Sequence, residues 1–212
     1  MVSTHSTLHL YINRLTSALS LIDQERVCEL RSAIESRLDG TSSIYILGNG
    51  GSAANAHHIT GDYTKTFALK RQHLHIECLS DNNCYLTAAS NDLDFSEIYE
   101  VLVGSRIRSN DLLILLSGSG NSMNLVKAAR AACRLNVIVS SITAFSGGAL
   151  KDLSNIPIHV PIDDMEVAED IQMIIMHHIK QDLCRTIDFL KKEEPDVFMN
   201  KYYKRVDEGL VS

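Results

Sequence analysis

Proline and glycine are scarce in this chain, three and 11 among 212 residues, too few for a collagen-like or disordered polypeptide. Long apolar runs are missing too. None approaches the roughly 18–20 residues that cross a bilayer, which argues against a membrane role. The opening segment, MVSTHSTLHLYINRL, has no basic stretch leading into an apolar core and cleavage site, so no secretory leader is expected. Positive charge is in deficit: 20 Lys+Arg stand against 26 Asp+Glu, a formal net charge of −6 with a pI near 5.8. Without a basic surface to displace counterions, generic nucleic-acid binding is disfavoured. Paired cysteine spacings are also absent. Cys28, Cys78, Cys84, Cys133 and Cys184 are odd in number, form no CxxC and sit in apolar-patterned segments. A reduced, cytoplasmic protein with buried structural thiols is the expectation.

What is present is an ordinary globular composition, 45% hydrophobic and 22% charged, at the length of one domain. Leu8, Tyr11, Ile12, Leu15, Leu19, Ile22, Val27, Leu30 and Ile34 recur at helical spacing up to a stop at Asp39-Gly40. They predict a helical arm over residues 1–40 with an apolar stripe to bury. Short apolar runs then begin at Ile44–Leu47, His75–Leu79, Leu112–Leu116, Val137–Thr143 and Ile156–Val160. Between and after them lie helix-like stretches near 53–68, 83–90, 94–107, 122–134 and 164–192. Buried strands alternating with amphipathic helices predict an α/β fold: a three-layer αβα sandwich with a five-stranded parallel sheet. No repeat or linker divides the chain. A core over 44–184 and a polar tail over 191–212, broken from the last helix by Pro195, complete a single domain.

Two segments at strand-to-helix junctions carry chemistry. Asn49, Gly50, Gly51 and Ser52 follow the first strand, where glycines admit a tight turn and backbone N–H groups at a helix start attract an anion. Taken alone, this is equally a tight turn with Ser52 as an N-cap. The segment is neither GxGxxG nor a P-loop. Ser117, Gly118, Ser119, Gly120, Asn121 and Ser122 form a second junction, rich in hydroxyls and free of lysine, as suits a sugar phosphate. In open α/β sheets, ligands bind beyond the carboxyl ends of the strands, so both junctions share one rim.

Farther along, His58 and Asp62 stand at i and i+4 on one helix face and can chelate one divalent ion, although such a pair also serves as a surface contact. The last helix carries Glu169, Asp170, Gln172, His177 and His178. Glu169 and His177 share a face loosely, and either histidine can be a core or an exposed residue. Asn91-Asp92 reads locally as a turn or cap, and Lys65 as a solvated lysine.

GNGGSAANAHH, SGSGNS, Asn91-Asp92 and AEDIQMIIMHH together resemble the sugar isomerase (SIS) domain, and within it the phosphoheptose isomerases, over about residues 44–184. The resemblance implies conversion of sedoheptulose 7-phosphate to D-glycero-D-manno-heptose 7-phosphate for heptose-containing glycans. It also implies a homotetramer with active sites at subunit interfaces and one divalent metal per site, zinc by preference. His58, Asp62, Glu169 and His177 take the positions of metal ligands, with Asp62 as base and His177 as acid. Asn49, Gly50, Gly51, Ser52, Ser117, Gly118, Ser119 and Ser122 take those of phosphate and sugar contacts, joined by Asn91, Asp92 and Glu169. This chain departs from better-known members in having Asp62 for Glu, one methylene shorter, and Glu169 for Gln, one negative charge richer. Other readings are an isomerase for a different sugar phosphate, or a non-catalytic module that senses sugar phosphates or binds a replication initiator.

Overall fold

The computed structural model describes residues 7–190. The first six residues of the arm and the polar tail over 191–212 lie outside them. Where one arm was expected, two helices stand: α1 (Thr7–Leu19) and α2 (Gln24–Glu35). Asp23 makes the break, its carboxylate accepting the backbone N–H groups of Glu25 and Arg26 as the cap of α2. The apolar spacing runs on through the turn, so periodicity alone hides it.

The rest alternates strand and helix. β1 (Ser43–Gly48), α3 (Gly50–Leu69), β2 (His75–Cys78), α4 (Asn83–Asp92) and α5 (Ile98–Arg106) come first. β3 (Leu112–Ser117), α6 (Met123–Arg134), β4 (Ile138–Thr143), α7 (Gly148–Leu153), β5 (Ile156–His159) and α8 (Met165–Leu190) follow. All five strands anticipated from the sequence are present. α7 was not anticipated, since six residues are too few to display a helical period.

The strands form one parallel sheet in the order β2-β1-β3-β4-β5. The chain moves outward from β1 to β2, then crosses back to β3 on the other side. The carboxyl ends of β1 and β3 therefore flank the point where the strand order reverses, which is where open sheets leave a crevice. β3 is buried along its whole length. Its Leu112, Ile114 and Leu116 pack toward α1, α2, α3 and α8, while Leu113 and Leu115 pack toward α5 and α6. Each such side chain contributes about 1.5–3 kcal/mol on burial before entropic costs.

α3 and α8 lie together on one face of the sheet. Tyr63, fully buried, donates its hydroxyl to the backbone oxygen of Met176 at 2.8 Å. Burial drives the Tyr63 phenol far above its usual range, so it stays a donor. The arm is fastened to α8 as well, with Tyr11 donating to Asp170 at 2.6 Å and Arg31 bonded to Asp182 and Thr186.

The cysteines correct the expectation of buried thiols. Cys78 is buried and Cys184 half-buried, but Cys28, Cys84 and Cys133 are exposed, and all five are free. Apolar neighbours in sequence do not decide which face of a helix a single residue occupies.

Candidate active site

The two strand-to-helix junctions meet. Asn49, Gly50, Gly51 and Ser52 line one side of a cavity of about 260 Å³, and Ser117, Gly118, Ser119 and Ser122 line the other. Leu116, Leu125, Met165 and Glu169 complete the lining, which among the described residues contains no lysine or arginine. Asn49 and Ser122 occupy the cap positions of α3 and α6 without a side-chain capping bond, while Glu169 takes the N–H of Ser52 and Asn124 Oδ1 takes that of Leu125. The remaining backbone N–H groups at both helix starts are available to an anion.

Local bonds fix these loops. Asn49 and Asn124 exchange reciprocal amide bonds of 2.9 and 3.0 Å across the gap between them. Ser117 accepts the N–H of Gly120 and Ser119 that of Asn121, so both hydroxyls keep their protons free to donate outward. Gly120, at φ +66°, lies against the Gly147 backbone, where a Cβ has no room.

Glu169 reaches this cavity from α8. Its carboxylate lies where a Cβ on Gly51 would project, and it accepts the N–H of Ser52. Burial and then the nearby Glu166 raise its pKa, against the opposing pull of the Ser52 bond. A carboxylate thus rests at the start of α3, on the side from which an anion approaches.

Farther along α3 and α8 is a second constellation. One ligand atom each from His58, Asp62 and His177 lie within 4.8 Å of one another. The two Nε2 atoms face each other at 3.2 Å, and Asp62 Oδ2 is 3.9 Å from His177 Nε2. Two borderline imidazole nitrogens and one hard carboxylate oxygen are donors in the number and kind that suit a zinc-type divalent ion. Burial, and next the charge of Lys180, depress the pKa of His177, favouring the neutral ring. The Tyr63–Met176 bond joins the residues next to Asp62 and His177, holding the two helices in register at this point.

Several candidates lie elsewhere. Glu169 is not in the His58–Asp62–His177 group: eight residues along a helix is about 12 Å of rise, and its carboxylate turns toward Gly51. His57 and His178 are exposed, as is Lys65. Asn91 and Asp92 end α4, exposed and bonded to each other at 2.9 Å, outside the cavity lining.

Other residues of the site have no role assigned from the sequence: Gln172 is marked there only as one of the polar residues of the last helix, and Asn124 and Lys180 are not marked. Gln172 is buried, donates to the Ser52 hydroxyl at 3.2 Å and accepts from Asn55 at 3.1 Å. Asn124 and Lys180 likewise have partners more than 70 positions away in the chain. Buried polar residues with no local partner were the available signal, since such groups require one in the fold.

Comparison with known proteins gives consistent results. The SIS domain family matches residues 10–144. A phosphoheptose isomerase of Helicobacter pylori (strain Shi470) is 36% identical over 163 residues, covering 77% of this chain and 84% of that protein. One from Mycobacterium bovis is 29% identical over 185 residues, covering 85% and 94%. The solved structure of a phosphoheptose isomerase from Francisella tularensis superposes with a TM-score of 0.78 at 25% identity, covering 84% of this chain and 95% of that one.

Proposed function

This chain belongs to the SIS-domain family, among its phosphoheptose isomerases, and from that premise we propose that it converts sedoheptulose 7-phosphate to D-glycero-D-manno-heptose 7-phosphate. The observation that carries the reading is the spacing of two sites along α3. The cavity opens at its first turn, and the His58–Asp62–His177 group begins eight residues on, about 12 Å along the axis. An extended seven-carbon chain with a terminal phosphate is of comparable length.

In this reading the phosphate sits against Ser52, Ser117, Ser119 and Ser122 and the free N–H groups of the two helix starts. Donors without formal charge suit a protein of net charge −6, which offers an anionic substrate no bulk attraction. Gln172 steadies the Ser52 hydroxyl, and Glu169 faces the sugar. Asp62 takes the C1 proton, His177 delivers a proton at C2 at a stage separate from any role as a metal ligand, and the O1 hydroxyl proton passes to O2. His58, Asp62 and His177 would hold a divalent ion, zinc by preference. Such an ion supplies charge stabilisation for the enediolate oxygens. Asn91 and Asp92, away from this cavity in the single chain, are assigned to sugar hydroxyls across a subunit contact. A cytoplasmic homotetramer is the assembly we assign.

The test is conversion of sedoheptulose 7-phosphate followed by NMR, after chelation and after zinc is restored, for the wild type, Asp62→Asn and His177→Ala. We expect turnover by the wild type and a loss of about 100- to 10,000-fold in each variant. Binding of the sugar phosphate without turnover under any divalent metal overturns the catalytic reading in favour of a sensor.

A further inference from the structure

Lys180 is three residues beyond His177 on α8, on the same face of the helix. Its ammonium group is bonded to Asp62 Oδ2, the same oxygen that lies 3.9 Å from His177 Nε2. The pair is mostly withdrawn from water, with 17% of the Lys180 side chain and 16% of Asp62 exposed. Salt and solvent screen such a pair far less than a surface ion pair. With neutral imidazoles, the four side chains sum to zero formal charge. A divalent ion approaching Asp62 therefore meets a cation already on the carboxylate, and two like charges cannot share that oxygen cheaply. Lys180 has a long flexible stem and carries a compact point charge, so it can leave the oxygen by rotation alone.

We propose that Lys180 is a built-in competitor for the metal: its ammonium holds Asp62 in place in the metal-free protein, lowers affinity for a divalent ion, and leaves the carboxylate when one binds. This rests on the reading of His58, Asp62 and His177 as a metal site. The competitor ties metal occupancy to free ion concentration, because every binding event must first break the Lys180–Asp62 pair. Lys180 is thus a positioning residue. It touches a ligand of the metal and need not touch the substrate.

The experiment is zinc titration against a chromophoric chelator, using metal-stripped wild type, Lys180→Met, Lys180→Gln and Lys180→Arg, each checked for its fold by circular dichroism. The Met and Gln variants should bind one zinc per chain at least about tenfold tighter than the wild type, the scale on which residues behind metal ligands act. The Arg variant should stay near the wild type. In the unaltered protein, saturating zinc should also increase acylation of Lys180 by an amine-reactive reagent, read by mass spectrometry; this arm needs no variant to fold. Equal or weaker zinc binding by the folded Met and Gln variants overturns the proposal, as does unchanged Lys180 labelling in zinc-saturated wild type. Zinc bound by the wild type in either of those results leaves the metal site standing and removes only the role of Lys180. No zinc on any of the four proteins removes both.

Discussion

Glycines at the two loops separate a functional constraint from a structural one. Gly51 has an ordinary backbone conformation, and a Cβ there meets only the end of the Glu169 side chain. Gly51→Ala should leave stability within about 0.5 kcal/mol of the wild type yet push Glu169 off the Ser52 N–H, lowering kcat/KM about tenfold or more. Gly120 has φ +66° and faces the Gly147 backbone, which cannot rotate away. Gly120→Ala should cost about 2–3 kcal/mol in chemical denaturation. Equal stability losses in the two variants would contradict this division. His177 gives a pH effect of definite sign. Its folded pKa lies below the ordinary 6.5, so protons bind the unfolded chain more readily, and the stability contributed by the neutral ring is lost as pH falls through the depressed value. In chelator, the melting temperature of the wild type should drop more steeply below pH 6.5 than that of His177→Gln, and parallel curves would refute this. At this scale, much of the site was legible. His58 and Asp62 share a face by spacing alone, and hydroxyl-rich loops after strands announce an anion. Lys180 was not legible, because its bond to Asp62 spans 118 positions and exists only once α3 and α8 pack.

Helices α3 and α8 form the frame of the site, and two buried polar side chains set how they slide against each other. Tyr63 to Met176 acts at the level of the Asp62–His177 pair, whereas Gln172 to Ser52 and Asn55 acts at the level of the cavity. The variants should divide accordingly. Tyr63→Phe removes one buried hydrogen bond, about 1 kcal/mol, and should lower kcat with little change in KM, since it loosens the reacting pair alone. Gln172→Leu leaves the Ser52 hydroxyl without its donor and should raise KM more than it lowers kcat, at a cost of about 1–3 kcal/mol in stability. Steady-state kinetics of the two variants distinguishes these outcomes, and a shared pattern would count against separate roles. Strands were readable as elements because each is a short, bounded apolar run. The division between α1 and α2 was not, since Asp23 interrupts the backbone without interrupting the apolar stripe. α7 escaped because six residues show no period.

Over the whole molecule, the arm poses the remaining physical problem. α1 leaves Leu8, Leu10 and Ile12 exposed at 69%, 55% and 46%, and Leu21 just beyond it at 63%. Leu10 and Leu21 line a cleft of about 790 Å³ that runs along α1 to Pro161 and Ile162, away from the phosphate loops, and Leu8 and Ile12 lie outside its lining. Exposed leucines and an isoleucine on the arm of a chain of net charge −6 call for cover, and copies of the same chain can supply it symmetrically. The arm also touches the site's frame, since Tyr11 donates to Asp170, the neighbour of Glu169 on α8. α1 is thereby tied to the helix that carries Glu169 and His177. Assembly and activity should fall together: Leu10→Glu and Leu21→Glu should shift the proposed tetramer toward smaller species in sedimentation velocity and lower kcat/KM in the same samples. Tyr11→Phe should lower kcat/KM while the tetramer persists, because it cuts the link to α8 without placing charge on the apolar surface. A wild type that sediments as a fully active monomer at micromolar concentration would show that the exposed stripe serves another purpose. Full activity in dissociated Leu10→Glu would show that the site is complete within one chain, and Asn91 and Asp92 would then need no neighbouring subunit to approach.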